Sequence, residues 1–175
     1  DRTGRIHGVV KIAGAVNRDW EEITAFRREG EPWLVVADCG NNFLENRPAT
    51  LYFLREPSPD AGEAAYDYRL DVFFESGPIN CEAMEVDERE GKILFFSKVS
   101  SGRCEVFEAS LPDLTLAPPN TSVIARRIAA PHLTLATGMC ISADGSRMVV
   151  VNYQHGFEFR RGEGESWASA LTRPP

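Results

Sequence analysis

Several features that mark common classes of protein are missing from this sequence. It has no apolar run approaching the roughly 20 residues that a helix needs to cross a bilayer, so we predict no insertion into a membrane. It also has no basic surplus, because 19 Lys and Arg stand against 26 Asp and Glu and give a net charge of −7. Since a nucleic-acid partner calls for a basic surface, we predict a small molecule, a cation or a protein as the partner instead.

Motifs for metal binding and redox chemistry are missing as well. The chain has four cysteines, namely Cys39, Cys81, Cys104 and Cys140. They form no C-x-x-C pair, which argues against a zinc ribbon and a thioredoxin-like motif. Buried free thiols are the simplest interpretation, since Cys is among the most buried residue types, whereas a disulfide would require an oxidising compartment. No nucleophilic triad is visible, and the three histidines have no matching partners in the sequence.

The sequence does contain a repeat, with a period of about 55 to 61 residues. In each copy a strand leads through a glycine-centred turn into a run of apolar residues, as in 20–38, 81–98 and 137–153. A third strand with an aromatic residue follows in every copy, and an outer fourth strand follows in two of them. Helical periodicity is nearly absent. Four antiparallel strands that recur at this period are typical of the blades of a β-propeller.

We therefore predict an all-β protein, a partial β-propeller with about three four-stranded blades. The blades are expected at about 15–75, 79–129 and 135–175, with residues 1–14 as an outer strand of a neighbouring blade. Propellers carry roughly four to eight blades that bury their apolar faces against each other, so this chain should be part of a six-bladed ring. Either further sequence completes the ring or a second copy does so as a homodimer. The tail 166–175 resembles the beginning of another blade that stops early, which favours truncation.

The first two strands of a blade are antiparallel neighbours, so the start of one and the end of the other lie at the same rim of the ring. The polar residues at these positions are Glu21, Asp38, Asn41, Asn42, Glu82, Lys98 and Tyr153, with Asp19, Glu22 and Asn80 beside them. We predict that they form a ligand-binding rim. Carboxylates gathered at one mouth repel each other unless a cation, a proton or a basic side chain such as Lys98 compensates.

Two interpretations of these carboxylates remain open. In the first, Glu21, Asp38 and Glu82 are metal ligands, and calcium suits their oxygens better than zinc. In the second, Glu21 and Glu82 accept hydrogen bonds from backbone amides of neighbouring strands, as a structural device that recurs with the repeat.

The motifs also carry a family resemblance. The string Asn17–Ile23, followed by Asp38–Asn42, resembles an uncharacterised group of bacterial six-bladed β-propellers, and Asn80–Ala83 and Thr137–Gly145 agree in the later copies. More distantly, the pattern is similar to the phytase-like, or esterase-like, propellers. The resemblance implies a secreted protein, extracellular or periplasmic, and a cation-assisted phosphoesterase as one activity.

Three functions follow as hypotheses. The first is a propeller module that binds a small ligand, a cation or a partner at the rim. The second is a metal-assisted hydrolase, a calcium-dependent phosphoesterase in which metal-bound water attacks phosphorus and Lys98 stabilises the developing negative charge. The third is a protein-interaction scaffold. Members of the resembled group often have Asp where Asn41 and Cys140 stand, which leaves this chain fewer anionic ligands at the rim.

Overall fold

The computed structural model describes residues 3–114 and 119–175, and in these ranges the protein is all-β. Residues 1–2 of the predicted first segment and 115–118 of the predicted second blade lie outside them. In chain order the elements are β1 (Lys11–Ala13), β2 (Trp20–Arg28), β3 (Glu31–Asp38), β4 (Ala49–Arg55), β5 (Glu63–Ala65), β6 (Tyr68–Phe74), β7 (Cys81–Asp87), β8 (Lys92–Ser97), β9 (Val106–Ser110), β10 (Asn120–Ala129), β11 (Gly138–Ile141), β12 (Arg147–Val151), β13 (Gly156–Arg160) and the short helix α1 (Trp167–Ala170).

The strands form three antiparallel groups that follow the repeat. Unit 1 is β2-β3-β4-β6, unit 2 is β7-β8-β9-β10, and unit 3 is the three-stranded β11-β12-β13. The outer strands β6 and β10 pair in parallel, so units 1 and 2 share one eight-stranded sheet. The end strands β2 and β7 lie against each other, which makes this sheet a nearly closed, barrel-like one. On its other side β7 also contacts β11.

Units 1 and 2 carry a β-bulge at the same place. In β2 the register with β3 shifts between Trp20 and Glu22, and in β7 the register with β8 shifts between Cys81 and Ala83. The extra residues are therefore Glu21 and Glu82. A bulge re-aims the side chain of its extra residue, which brings both carboxyl groups to the same rim.

The core consists of two apolar layers between the units. Side chains such as Phe53 and Phe95 fill the layer between units 1 and 2, and side chains such as Phe96 and Phe159 fill the layer between units 2 and 3. Adjacent residues of β8 point to opposite faces of the sheet, so this strand is buried in both layers. This explains its continuous apolar sequence.

The C-terminal segment 166–175, which in sequence resembles the beginning of another blade, contains the short helix α1. Ser166 caps the short helix α1 by accepting a hydrogen bond from the Ser169 amide. The Trp167 indole is buried and donates to Asp87 Oδ2 at 2.9 Å, and the same oxygen lies 2.8 Å from Arg161 Nη2. Gly145 leaves room for this cluster, since a Cβ there would lie 2.7 Å from Arg161 Nη2. The tail is thus fastened to unit 2.

The N-terminal segment lies along unit 1. Its strand β1 pairs in parallel with β5, with Lys11 opposite Glu63 and Ala13 opposite Ala65. In the described ranges no helix is long and apolar enough to cross a membrane.

Candidate functional site

A lysine connects units 2 and 3 at the rim. Lys98, directly after β8, donates to both carboxylate oxygens of Glu82, at 2.7 and 2.6 Å. Its ammonium also donates to the Tyr153 hydroxyl at 2.6 Å and lies 5.0 Å from the centre of the Tyr153 ring. Glu82 is only 7% exposed, whereas Tyr153 is 68% exposed. The ion pair is therefore sheltered on one side and open to a ligand on the other.

Glu21 lies beside this ion pair with a strongly perturbed acidity. Burial, followed by the negative charges of Glu82 and Asp19, raises the pKa of Glu21 from 4.5 to about 7, against a smaller opposing effect of Lys98. A side-chain interaction with Asp19 contributes to the higher pKa of Glu21. At neutral pH, Glu21 is therefore about half protonated.

Amide side chains join the rims of units 1 and 2. Asn80 Oδ1 accepts from the Asn41 amide at 2.7 Å, and Asn80 Nδ2 donates to Asn42 Oδ1 at 3.2 Å. Asn42 in turn donates to Asp19 at 3.3 Å. The side chain of Asn41 is buried and bonds to the backbone N–H and C=O of Glu45, both at 2.9 Å. Asn42 thus belongs to the rim, whereas Asn41 holds its own loop together.

Asp38 lies apart from the other predicted site residues. It is fully buried, and its carboxylate accepts from Arg18 Nε and from the Asp19 amide, both at 2.9 Å. The register explains this position, because Asp38 pairs with Trp20 as Ser97 pairs with Cys81. Asp38 is therefore the counterpart of Ser97, one residue before Lys98, and adjacent strand residues point to opposite faces.

Two further carboxyl groups lie between the inner strands, namely Glu22, which the sequence placed near the rim, and Glu85, which it did not. Glu22 Oε2 accepts from the Met139 amide at 3.4 Å, and burial raises the pKa of Glu22. Glu85 accepts from the Thr24 hydroxyl, and burial raises the pKa of Glu85 to about 7. The position of Glu85 between the apolar residues Met84 and Val86 of β7 was the available signal. The device of a carboxylate that bonds to a neighbouring strand is thus present at Glu22.

The described residues bring together Glu21, Asn42, Glu82, Lys98 and Tyr153, with Asp19 and Asn80 beside them. Within these ranges, no three His, Cys, Asp or Glu side chains are grouped so that they could hold a metal ion, and the predicted trio of Glu21, Asp38 and Glu82 is not assembled. What the rim offers is a set of carboxyl and amide oxygens around one half-protonated acid. Such a set can exchange a proton for a cation or for a cationic group.

The prediction of buried free thiols is confirmed for three of the four cysteines. Cys39, Cys81 and Cys104 are buried and free, and Cys140 is free but exposed. Burial raises the pKa of Cys104 to about 12. Contact with Cys81, followed by burial, raises the pKa of Cys39 well above its usual range. High thiol pKa values make these side chains poor nucleophiles, so they serve packing.

No model of a known protein family matches the chain, and no curated protein matches it in sequence. The geometry and charge of the rim are therefore the basis for assigning a function.

Proposed function

We propose that the protein is a β-propeller module that binds a cation, or a small ligand with a cationic group, at the rim formed by Glu21, Glu82, Lys98 and Tyr153. The propeller part of the proposal is supported by the repeated antiparallel sheets and by the contacts that join β2 to β7 and β7 to β11. In a propeller the innermost strands of successive blades lie side by side around one axis.

One observation carries the proposal, namely the imbalance of charge at the rim. Glu21 lies within electrostatic range of two other acids, Asp19 and Glu82, and of one ammonium group, that of Lys98, which is paired with Glu82. A proton on Glu21 relieves the repulsion between these acids, and a bound cation takes over this role. The exposed Tyr153 ring adds a face that attracts cations.

Calorimetry tests this function with two probes, calcium chloride and 1,4-diaminobutane. Binding at pH 7 should release about half a proton per site, because the pKa of Glu21 is about 7 and the bound cation removes its proton. The release is measured by comparing buffers of different ionisation enthalpy. Glu21→Gln should abolish the release and weaken binding about tenfold.

The matched control is Glu163→Gln, which changes an exposed acid in a loop away from the rim. It should leave affinity and proton release unchanged. If neither probe binds, or if Glu21→Gln binds as tightly as the unchanged protein, the proposal fails.

The calcium-dependent phosphoesterase uses the same carboxylates and makes a separate prediction. It requires turnover of an aryl phosphate that depends on calcium and stops with a chelator. The described residues group fewer carboxylates around one point than such a metal site needs. Binding without chemistry is therefore the function that the geometry favours, and chelator-sensitive turnover would replace it.

A further inference from the structure

Unit 2 packs through two different faces of its sheet. The first, which we call face A, contains Met84, Ile93 and Phe95 and is buried against unit 1. The second, face B, contains Leu94 and Phe96 and is buried against unit 3. An A face and a B face thus form each interface between units.

The strand register shows that both faces recur at the ends of the chain. In unit 2 Met84 pairs with Phe95, and in unit 1 Ile23 pairs with Val36, so Ile23 and Val36 belong to face A of unit 1. Leu34, two residues before Val36, lies on the same face.

The same comparison identifies face B of unit 3. Leu94 pairs with Glu108 in unit 2 as Val149 pairs with Glu158 in unit 3, so Val149 and Val151 are the counterparts of Leu94 and Phe96. Glu158 of unit 3 is likewise the counterpart of Glu108 of unit 2.

These two end faces are open in part, since Val36 of face A is only 4% exposed but other residues of both faces reach the surface. Ile23 is 59% exposed and Val151 is 40% exposed, whereas their counterparts Met84 and Phe96 are completely buried. The N-terminal segment lies over part of face A of unit 1 but leaves a cavity of about 320 Å³, lined by Ile12, Ile23 and Leu34 among others. Apolar sheet faces left open in this way mark an interaction surface.

We propose that face A of unit 1 binds face B of unit 3 of a second copy of this chain, so that two chains close a ring of six units. The same contact between an A face and a B face already occurs twice within the chain, between units 1 and 2 and between units 2 and 3. With two-fold symmetry, each copy supplies one A face and one B face, and both are then buried. Six units lie within the range in which propellers close.

This inference rests on the propeller arrangement of the proposed function and extends it. The described rim belongs to three units, and a second copy would supply the other half of the mouth around the ligand. Its test does not use ligand binding, so the two proposals fail separately.

The experiment is sedimentation of the whole chain from about 1 to 100 µM, where a dimer has twice the monomer mass of 19.4 kDa. Ile23→Asp and Val151→Asp should each weaken association about tenfold or more, because each places a charge in the centre of one A–B contact. Ile124→Asp is the control, since Ile124 is 61% exposed on β10, outside both faces.

A second measurement covers the case in which an Asp variant fails to fold. In a Cys140→Ser background, Ile23→Cys and Val151→Cys chains are mixed and oxidised with oxygen and a copper catalyst. A disulfide between the two different chains supports the proposal, whereas Ile124→Cys should not crosslink to Val151→Cys. A monomer over the whole concentration range overturns the proposal, and so does a dimer that neither Asp variant weakens.

Discussion

At the residue scale, the buried glutamates of the inner strands make the stability of the protein depend on pH, because burial disfavours their charged form. Burial raises the pKa values of Glu21 and Glu85 to about 7, from 4.5 for the ordinary group. The folded state therefore binds more protons than the unfolded state between these values. The stability that these groups contribute is complete below pH 4.5 and is lost as the pH rises through about 7.

Glu85→Gln should isolate this effect. The amide keeps an acceptor for the Thr24 hydroxyl and for the Val86 amide but cannot ionise. Relative to the unchanged protein, the variant should gain about 1–3 kcal/mol in the free energy of unfolding at about pH 8 and little at about pH 5. Urea unfolding at both pH values measures the gain. Equal differences at the two pH values would contradict the assignment, and Glu163→Gln serves as the unaffected control.

At the element scale, the strands of units 1 and 2 could be predicted because their apolar runs and turn glycines are local signals. The bulges could not, since one extra residue changes the pairing without changing the pattern of apolar residues. Asp38 and Lys98 look equivalent in sequence, but the strand register makes Ser97 the counterpart of Asp38, so Asp38 is buried against Arg18 and Lys98 reaches the rim. The parallel pairing of β6 with β10 depends on the distant packing of units 1 and 2, for which the sequence has no local signal.

The hydrogen bond that holds α1 against unit 2 can be tested by substitution. Trp167→Phe removes the buried hydrogen bond from the indole to Asp87, at 2.9 Å, and keeps most of the ring packing. We expect a loss of about 1–2 kcal/mol in the free energy of unfolding, because a charged acceptor loses a buried donor. Trp20→Phe is the matched control, since its indole bonds to the Val16 carbonyl at 3.0 Å in an exposed position, and it should cost clearly less. Equal losses, measured by urea unfolding, would show that Asp87 does not depend on the indole.

At the scale of the whole molecule, the same contact between sheets builds the core and assembles the rim. The layer between units 1 and 2 brings Glu21 to Glu82, and the layer between units 2 and 3 brings Lys98 to Tyr153. A change in the number of packed units therefore changes the site as well as the stability. This is why the open end faces bear directly on function.

The reactivity of the Cys140 thiol can show whether one of these open faces is covered. It pairs with Val149 on face B of unit 3 and is the exposed cysteine of the four, so in the dilute native protein one thiol per chain should react with a disulfide reagent, against four in urea. If a second copy covers this face, the reaction of Cys140 should slow as the protein concentration rises through the range of association. In Val151→Asp the reaction should slow only at higher concentrations, because the charge weakens association. A rate for the unchanged protein that does not depend on concentration, in samples that sediment as dimers, would mean that the copies associate through a different surface.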